Sequence, residues 1–132
     1  YKHPFFILLV FVISIVAIIH ISGTIFYWYW HFWWLDLFAH YGAGFWIGGI
    51  FLWFFFLLKE RRLGSSPVKY ILMVGASLGL IVGVMWEIFE LKIRVELLYT
   101  DDYFFDTITD LGADILGALS AAIYFITKKY YL

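Results

Sequence analysis

The sequence has no cysteine, only two prolines and few charges, with 14% of its 132 residues Asp, Glu, Lys or Arg. Without cysteine there can be no disulfide, thiolate metal ligand or thiol nucleophile, and the redox compartment is left undetermined. Motifs of fixed metal meaning are missing too: there is no His-Glu-x-x-His, no Glu-x-x-His pair and no histidine-rich cluster. No Ser-His-Asp logic is visible, although Thr107 and Thr109 flank Asp106. The net charge of −1 says little by itself, and no nucleic-acid partner is expected.

What the chain does have is apolar surface. With 64% hydrophobic and 24% aromatic residues it cannot fold as a water-soluble domain without massive exposed apolar area, so it reads as an integral membrane protein. Four stretches are long enough to span a hydrocarbon core of about 30 Å. They run from Pro4 to Ser22, Leu35 to Leu58, Val68 to Leu91 and Asp106 to Ile126. The expectation is all-α: residues 1–132 as one four-helix transmembrane domain with an aromatic interfacial segment. Lys2 precedes the first span and no small-residue cleavage pattern follows it, which makes it a retained anchor. The chain opens at Tyr1 without Met, so residues are expected ahead of it. Between the first two spans, eight of the nine residues from Phe26 to Trp34 are Phe, Tyr or Trp. Rings with one polar edge favour the headgroup zone, which predicts a short interfacial helix; aromatic walls around an entrance for a lipid chain are the alternative.

Lys2, Lys59, Arg61, Arg62, Lys69, Lys128 and Lys129 all fall on one side of a four-span chain. By the positive-inside tendency that side is cytoplasmic, with both termini inside. Gly64-Ser65-Ser66-Pro67 reads as a turn within the basic loop. The acidic residues then gather at the opposite, outer end. Asp36 and His40 open the second span, Glu87 and Glu90 close the third, and Asp106, Asp110 and Asp114 open the fourth, whereas Glu96 reads as a loop charge. Spacings of three and four put each set on one helix face. At 1.5 Å per residue the aspartate row descends about 12 Å into the membrane. Ionisable groups at such depth face a bundle interior or a water-filled cleft, and they need a function or a partner.

Gly75, Gly79 and Gly83 on the third span, Gly44 and Gly48 on the second, and Gly112, Gly117 and Ala118 on the fourth supply small faces for close helix approach. Carboxylates brought together this way cannot all stay ionised without positive charge among them. Three resolutions stand open: a bound cation, the internal cations Lys92 and Arg94, or protonated carboxyls. Hard oxygen ligands with one or two imidazoles suit Mg²⁺, Mn²⁺ or Ca²⁺, and with more histidine character Zn²⁺ or Fe. A proton or ion path is a further reading, but the cytoplasmic halves of the spans carry no interior ionisable group. Of the four histidines, His3 is terminal, His31 suits the interface and His20 is divided between packing and the site. His40 is the best candidate, because Asp36 one turn earlier can orient or charge it.

The runs Asp36-Leu37-Phe38-Ala39-His40, Trp86-Glu87-Ile88-Phe89-Glu90 and Asp106-Thr107-Ile108-Thr109-Asp110-Leu111-Gly112-Ala113-Asp114-Ile115-Leu116-Gly117-Ala118 resemble the VanZ-like and YjdF-type small membrane proteins. The likeness covers residues 35–125. VanZ-like proteins usually carry Lys where this chain has Leu37, and commonly Gln and Asn where it has Glu90 and Asp114, so the double-Glu turn looks closer to the YjdF type. What the resemblance implies is cell-envelope or lipid business, without a named reaction.

The expected site is therefore acidic, cation-binding and open to the outer leaflet, and it binds or acts on a lipid-linked or phosphorylated envelope substrate. As a metal-dependent hydrolase or transferase it would use Glu87, Asp106, Asp110 and Asp114 as ligands and His40, Glu90 and Asp36 for proton transfer. Lys92, Arg94, Tyr41 and Tyr103 would meet the substrate, with Tyr99 a further hydrogen-bond donor. Alternatives are a lipid- or antibiotic-binding protein without turnover, a homo-oligomer, and a subunit whose charges pair with another membrane chain.

Overall fold

The computed structural model describes residues 2–54, 68–93 and 101–128, all within or directly beside helices. In chain order these are α1 (Lys2–Ile25), α2 (Trp28–His31), α3 (Trp34–Leu52), α4 (Val68–Ile93) and α5 (Tyr103–Thr127). Among the described residues there is no strand. Four of the helices, α1 from Pro4 and all of α3, α4 and α5, are long and apolar enough to cross a membrane. The chain is thus an all-helical, polytopic membrane protein.

Helix limits differ modestly from those expected. α1 runs on past Ser22 because the Thr24 hydroxyl donates back to the His20 carbonyl at 2.8 Å and is satisfied inside the helix. The chain then breaks at Tyr27, which adopts a left-handed conformation at φ 56°. α2 follows as the expected short aromatic helix. α5 begins three residues ahead of Asp106, with Asp106 N–H bonded to the Asp102 carbonyl at 2.9 Å. The expected second span reaches Leu58, but residues 55–58, the basic loop and its Gly64–Pro67 turn lie outside the described residues.

Glycines set how the helices meet. A Cβ on Gly44 would strike the Asp114 carbonyl and one on Gly48 would come within 2.9 Å of Ala118 Cα, so α3 and α5 run parallel in near backbone contact. Gly75, Gly79 and Gly83 on α4 meet Ala122, Ala118 and Asp114 of α5 in descending order, so α4 is antiparallel to α5. Gly42 and Gly49 of α3 meet Val16 and Leu9, which makes α1 antiparallel to α3. Gly112 departs from the expected pattern, since nothing lies within 4 Å of its Cβ direction: it is on the opposite side of α5 from the packed glycine face.

These directions give the bundle two unlike ends. At one, Phe5, Leu9, Leu52, Ile71, Ala122 and Phe125 form a fully apolar core. Phe5 stacks on Tyr124 and meets Phe125 at a tilt, with ring centroids 5.8 Å apart in each pair. At the other end the buried residues include His40, Glu87, Asp110 and Asp114.

Candidate metal centre

Asp36 lies in the first turn of α3 and His40 one turn on, on the same face. The α3–α5 crossing at Gly44 and Gly117 sets that face against the aspartate row of α5. From the other side α4 closes in at Gly83, where a Cβ would stand 2.6 Å from Asp114 Oδ2. The main chain of Asp114 is therefore packed on α3 at Gly44, while its carboxylate lies against the α4 backbone at Gly83.

Three carboxylates converge on one imidazole. His40 Nδ1 lies 3.1 Å from Asp114 Oδ2, and its Nε2 lies 3.9 Å from both Asp36 Oδ1 and Asp110 Oδ2. With Asp114 ionised, the Nδ1–H donates to it, so the Nε2 lone pair points into the space between Asp36 and Asp110. This is how an outer carboxylate fixes the tautomer and orientation of a metal-binding histidine. The 3.9 Å gaps are too long for hydrogen bonds. One donor atom from each of Asp36, His40 and Asp110 falls within 4.8 Å of the others, the spacing of a three-ligand cation site.

Beside this triad the Thr107 hydroxyl donates to Glu87 Oε2 at 3.0 Å. Glu87 and Asp110 are 6% and 3% exposed, yet among the described residues Glu87 Oε1 and Asp110 Oδ1 have no hydrogen-bond partner. Buried polar atoms are nearly always satisfied, because an unmade bond costs about 1–3 kcal/mol and more for a charged group. Two orphaned acidic oxygens next to a ready-made donor set fit a positively charged occupant.

The remaining expected residues are distributed around this centre. Asp106 is exposed, one turn above Asp110, where it interacts electrostatically with Asp36 and His40 but stands outside the three-ligand set. Asp114 and Glu87, expected as ligands, instead orient the imidazole and accept from Thr107. Asp36 and His40, expected in proton transfer, supply two of the three converging donor atoms. Glu90 is half-buried and acts electrostatically on Glu87 and Tyr29. Tyr41 was expected to meet substrate, but its hydroxyl donates to Ser120 Oγ at 2.8 Å, because its position on α3 faces the later turns of α5. Tyr103 is half-buried in the first turn of α5 and Lys92 is exposed in the last turn of α4. Arg94, Glu96 and Tyr99 lie outside the described residues.

Sequence reasoning missed Tyr29. Its ring packs on Gly23, where a Cβ would stand 2.8 Å from Tyr29 Cε2, and its hydroxyl is 3.1 Å from His20 Nδ1. Burial, then the Asp36 and Glu90 carboxylates, push its pKa up to about 12, so it remains a neutral phenol. The absence of a side chain at Gly23 was the available signal for a ring seated there.

Four apolar helices long enough to cross a membrane, with an Asp-His-Asp group of which His40 and Asp110 are buried, define a polytopic integral membrane protein with a candidate cation site. The chain belongs to the family of predicted membrane proteins DUF2238, whose model matches residues 1–129. No curated protein matches the chain. No solved structure matches it either.

Proposed function

We propose that this protein holds a divalent cation between Asp36, His40 and Asp110 and uses it to bind the phosphorylated head group of a membrane lipid or lipid-linked envelope precursor. The convergence of those three donor atoms within 4.8 Å, with His40 and Asp110 buried and Asp36 part-exposed, carries this reading. The occupant is a hard cation such as Mg²⁺, Mn²⁺ or Ca²⁺, with Zn²⁺ next because of the imidazole. In place, it neutralises the carboxylates and polarises a phosphoryl oxygen, while Glu87 or Glu90 serves as base in a hydrolase or transferase. The distribution of Lys and Arg along the sequence supports an outer-leaflet position with both termini cytoplasmic. The likeness to VanZ-like and YjdF-type proteins supports a cell-envelope role.

A second reading, binding of lipid or antibiotic without turnover, draws support from the threonine hydroxyls. Thr107 is spent on Glu87, and Thr109 donates to the Phe105 and Asp106 carbonyls. Neither is presented as a nucleophile.

The test is thermal unfolding of detergent-purified protein after EDTA treatment, with Mn²⁺ then added back. Mn²⁺ at a hundredfold its dissociation constant should stabilise the protein by about 2.7 kcal/mol. Asp110→Asn should remove that response while leaving the metal-free protein as stable or more so, because a buried unpartnered oxygen is relieved of charge. No response of the unmutated protein to Mn²⁺, Mg²⁺, Ca²⁺ or Zn²⁺ would sink the proposal.

A further inference from the structure

His20 sits near the end of a membrane-crossing helix, yet it is exposed on that helix's outer surface. An ionisable ring in such a place is rare and requires a polar partner. Its Nδ1 meets the Tyr29 hydroxyl at 3.1 Å. The chain reaches this arrangement through Tyr27 at φ 56°, ψ 31°, the only positive-φ residue other than glycine among those described. A tyrosine in that region persists only where surrounding contacts over-determine it, and such residues cluster at functional sites. Two residues on, Tyr29 is held by its seat at Gly23 and its bond to His20.

The pair has one donor more than it spends. If Tyr29 O–H donates to Nδ1, His20 keeps an Nε2–H; if Nδ1–H donates to Tyr29, the phenol keeps its O–H. A pKa of about 12 holds Tyr29 in the phenol form, so the surplus donor is present at every physiological pH. Beside the short aromatic helix α2, this donor lies at the end of the first span, where lipid head groups meet apolar chains.

The other side of His20 leads to an apolar groove. The imidazole stands edge-on to Trp86, with ring centroids 5.9 Å apart. Trp86 lines a shallow groove of about 300 Å³ on α4 together with Val82, Met85 and Phe89. These four recur at i, i+3, i+4 and i+7, on one face of a membrane-crossing helix. Glu87 follows Trp86 directly and points inward to the buried cluster, while Asp36 acts on Tyr29 from the start of α3. The His20–Tyr29 pair thus adjoins the shallow apolar groove through Trp86 and feels the acidic centre through Asp36.

We propose that His20 and Tyr29 form a phosphate-binding subsite for a membrane phospholipid, one acyl chain of which lies in the Val82–Met85–Trp86–Phe89 groove. This rests on the reading of the centre as a site for a phosphorylated lipid, and it adds how such a lipid is held: chain along α4, one phosphate oxygen on the His20–Tyr29 donor, head group turned toward Asp36. The occupant is a lipid rather than free phosphate because the pair adjoins, through Trp86, an apolar groove on a membrane-crossing helix.

The experiment is calorimetric titration of the purified chain in maltoside detergent, loaded with Mn²⁺, using dioctanoyl phosphatidic acid, dioctanoylglycerol and inorganic phosphate as probes. One hydrogen bond to a charged acceptor contributes about 1.5–3 kcal/mol, so Tyr29→Phe and His20→Phe should each weaken phosphatidic acid binding by about tenfold or more. Both variants keep the ring and its packing. Neither should alter Mn²⁺ affinity or dioctanoylglycerol binding. Val82→Trp, which fills the groove, should weaken both dioctanoyl ligands alike. The proposal is overturned if Tyr29→Phe and His20→Phe bind phosphatidic acid as the unmutated chain does, or if inorganic phosphate competes as effectively as phosphatidic acid. Absence of Mn²⁺ binding with phosphatidic acid binding still sensitive to Tyr29→Phe would remove the metal reading and leave the subsite standing.

Discussion

The two ends of the bundle share α3, α4 and α5, and both bury side chains, but they do opposite things. At the apolar end, Phe5, Leu9, Leu52 and Phe125 fill space completely. At the polar end, His40, Glu87, Asp110 and Asp114 are also buried, yet among the described residues two carboxylate oxygens have no hydrogen-bond partner. In a bilayer, lipid tails are as apolar as leucine, so the first end gains only packing over exposure to lipid. The second has no comparable solvent to fall back on, and an unpaired charge there is a standing penalty. The apolar end explains why the helices hold together. The polar end is disfavoured by burial alone and holds only where its charges are compensated.

Removing the imidazole should break this contrast most severely. His40→Leu leaves three carboxylates without their shared partner, and losing one member of a buried pair costs about 3–5 kcal/mol. Unfolding in a detergent–SDS titration would measure it, and a loss below that of Phe125→Ala would show that the carboxyls are held neutral. Phe125→Ala, at the other end, should cost about 2 kcal/mol, below the 3–5 kcal/mol of soluble cores, since only contacts and a cavity are at stake. A larger loss would mean that the apolar end is shielded from lipid by more than this chain.

Thr107→Val comes next. It keeps the shape of the side chain but removes the donor to Glu87 Oε2, leaving both oxygens of that carboxylate unmet. A hydrogen bond to a charged group contributes about 1.5 kcal/mol or more, so a loss of that order is expected, and Mn²⁺ should recover part of it. If the substitution had no effect on unfolding with or without Mn²⁺, Glu87 would not belong to the polar unit.

Much of this division was legible in the sequence. Apolar run length located four spans, and i, i+4 spacing put Asp36 with His40 and aligned the α5 aspartates, because helix periodicity is local. The regular glycines anticipated the tight α3–α5 and α4–α5 crossings. Spacing could not say which nitrogen of His40 each carboxylate would face. That depends on how far α5 rotates against α3, which is why Asp114 emerged as the orienting residue and Asp36 as a candidate ligand. Tyr41 shows the same limit: one residue from His40 is about 100° around the helix, enough to carry its hydroxyl to Ser120. The turn at Tyr27 gave no warning either, since left-handed backbone at tyrosine is a product of tertiary contacts.

The smallest effects compare the same change at two glycines. Gly112 lies between Asp110 and Asp114 in sequence, but a Cβ there meets nothing within 4 Å. Alanine should therefore gain helix propensity without penalty, stabilising the fold by up to about 1 kcal/mol and leaving Mn²⁺ affinity unchanged. Gly75, toward the apolar end, would place its Cβ 3.2 Å from Ala122 Cβ and 3.3 Å from the Ala118 carbonyl, so the neighbours must yield by a few tenths of an ångström. That crowding should cancel the propensity gain and leave a loss below about 1 kcal/mol. Opposite signs in the detergent–SDS titration would show that α5 packs on one face only. A loss at Gly112 as well would mean that its open side is occupied in the membrane, and the polar end would then have to be redrawn with a second chain against it.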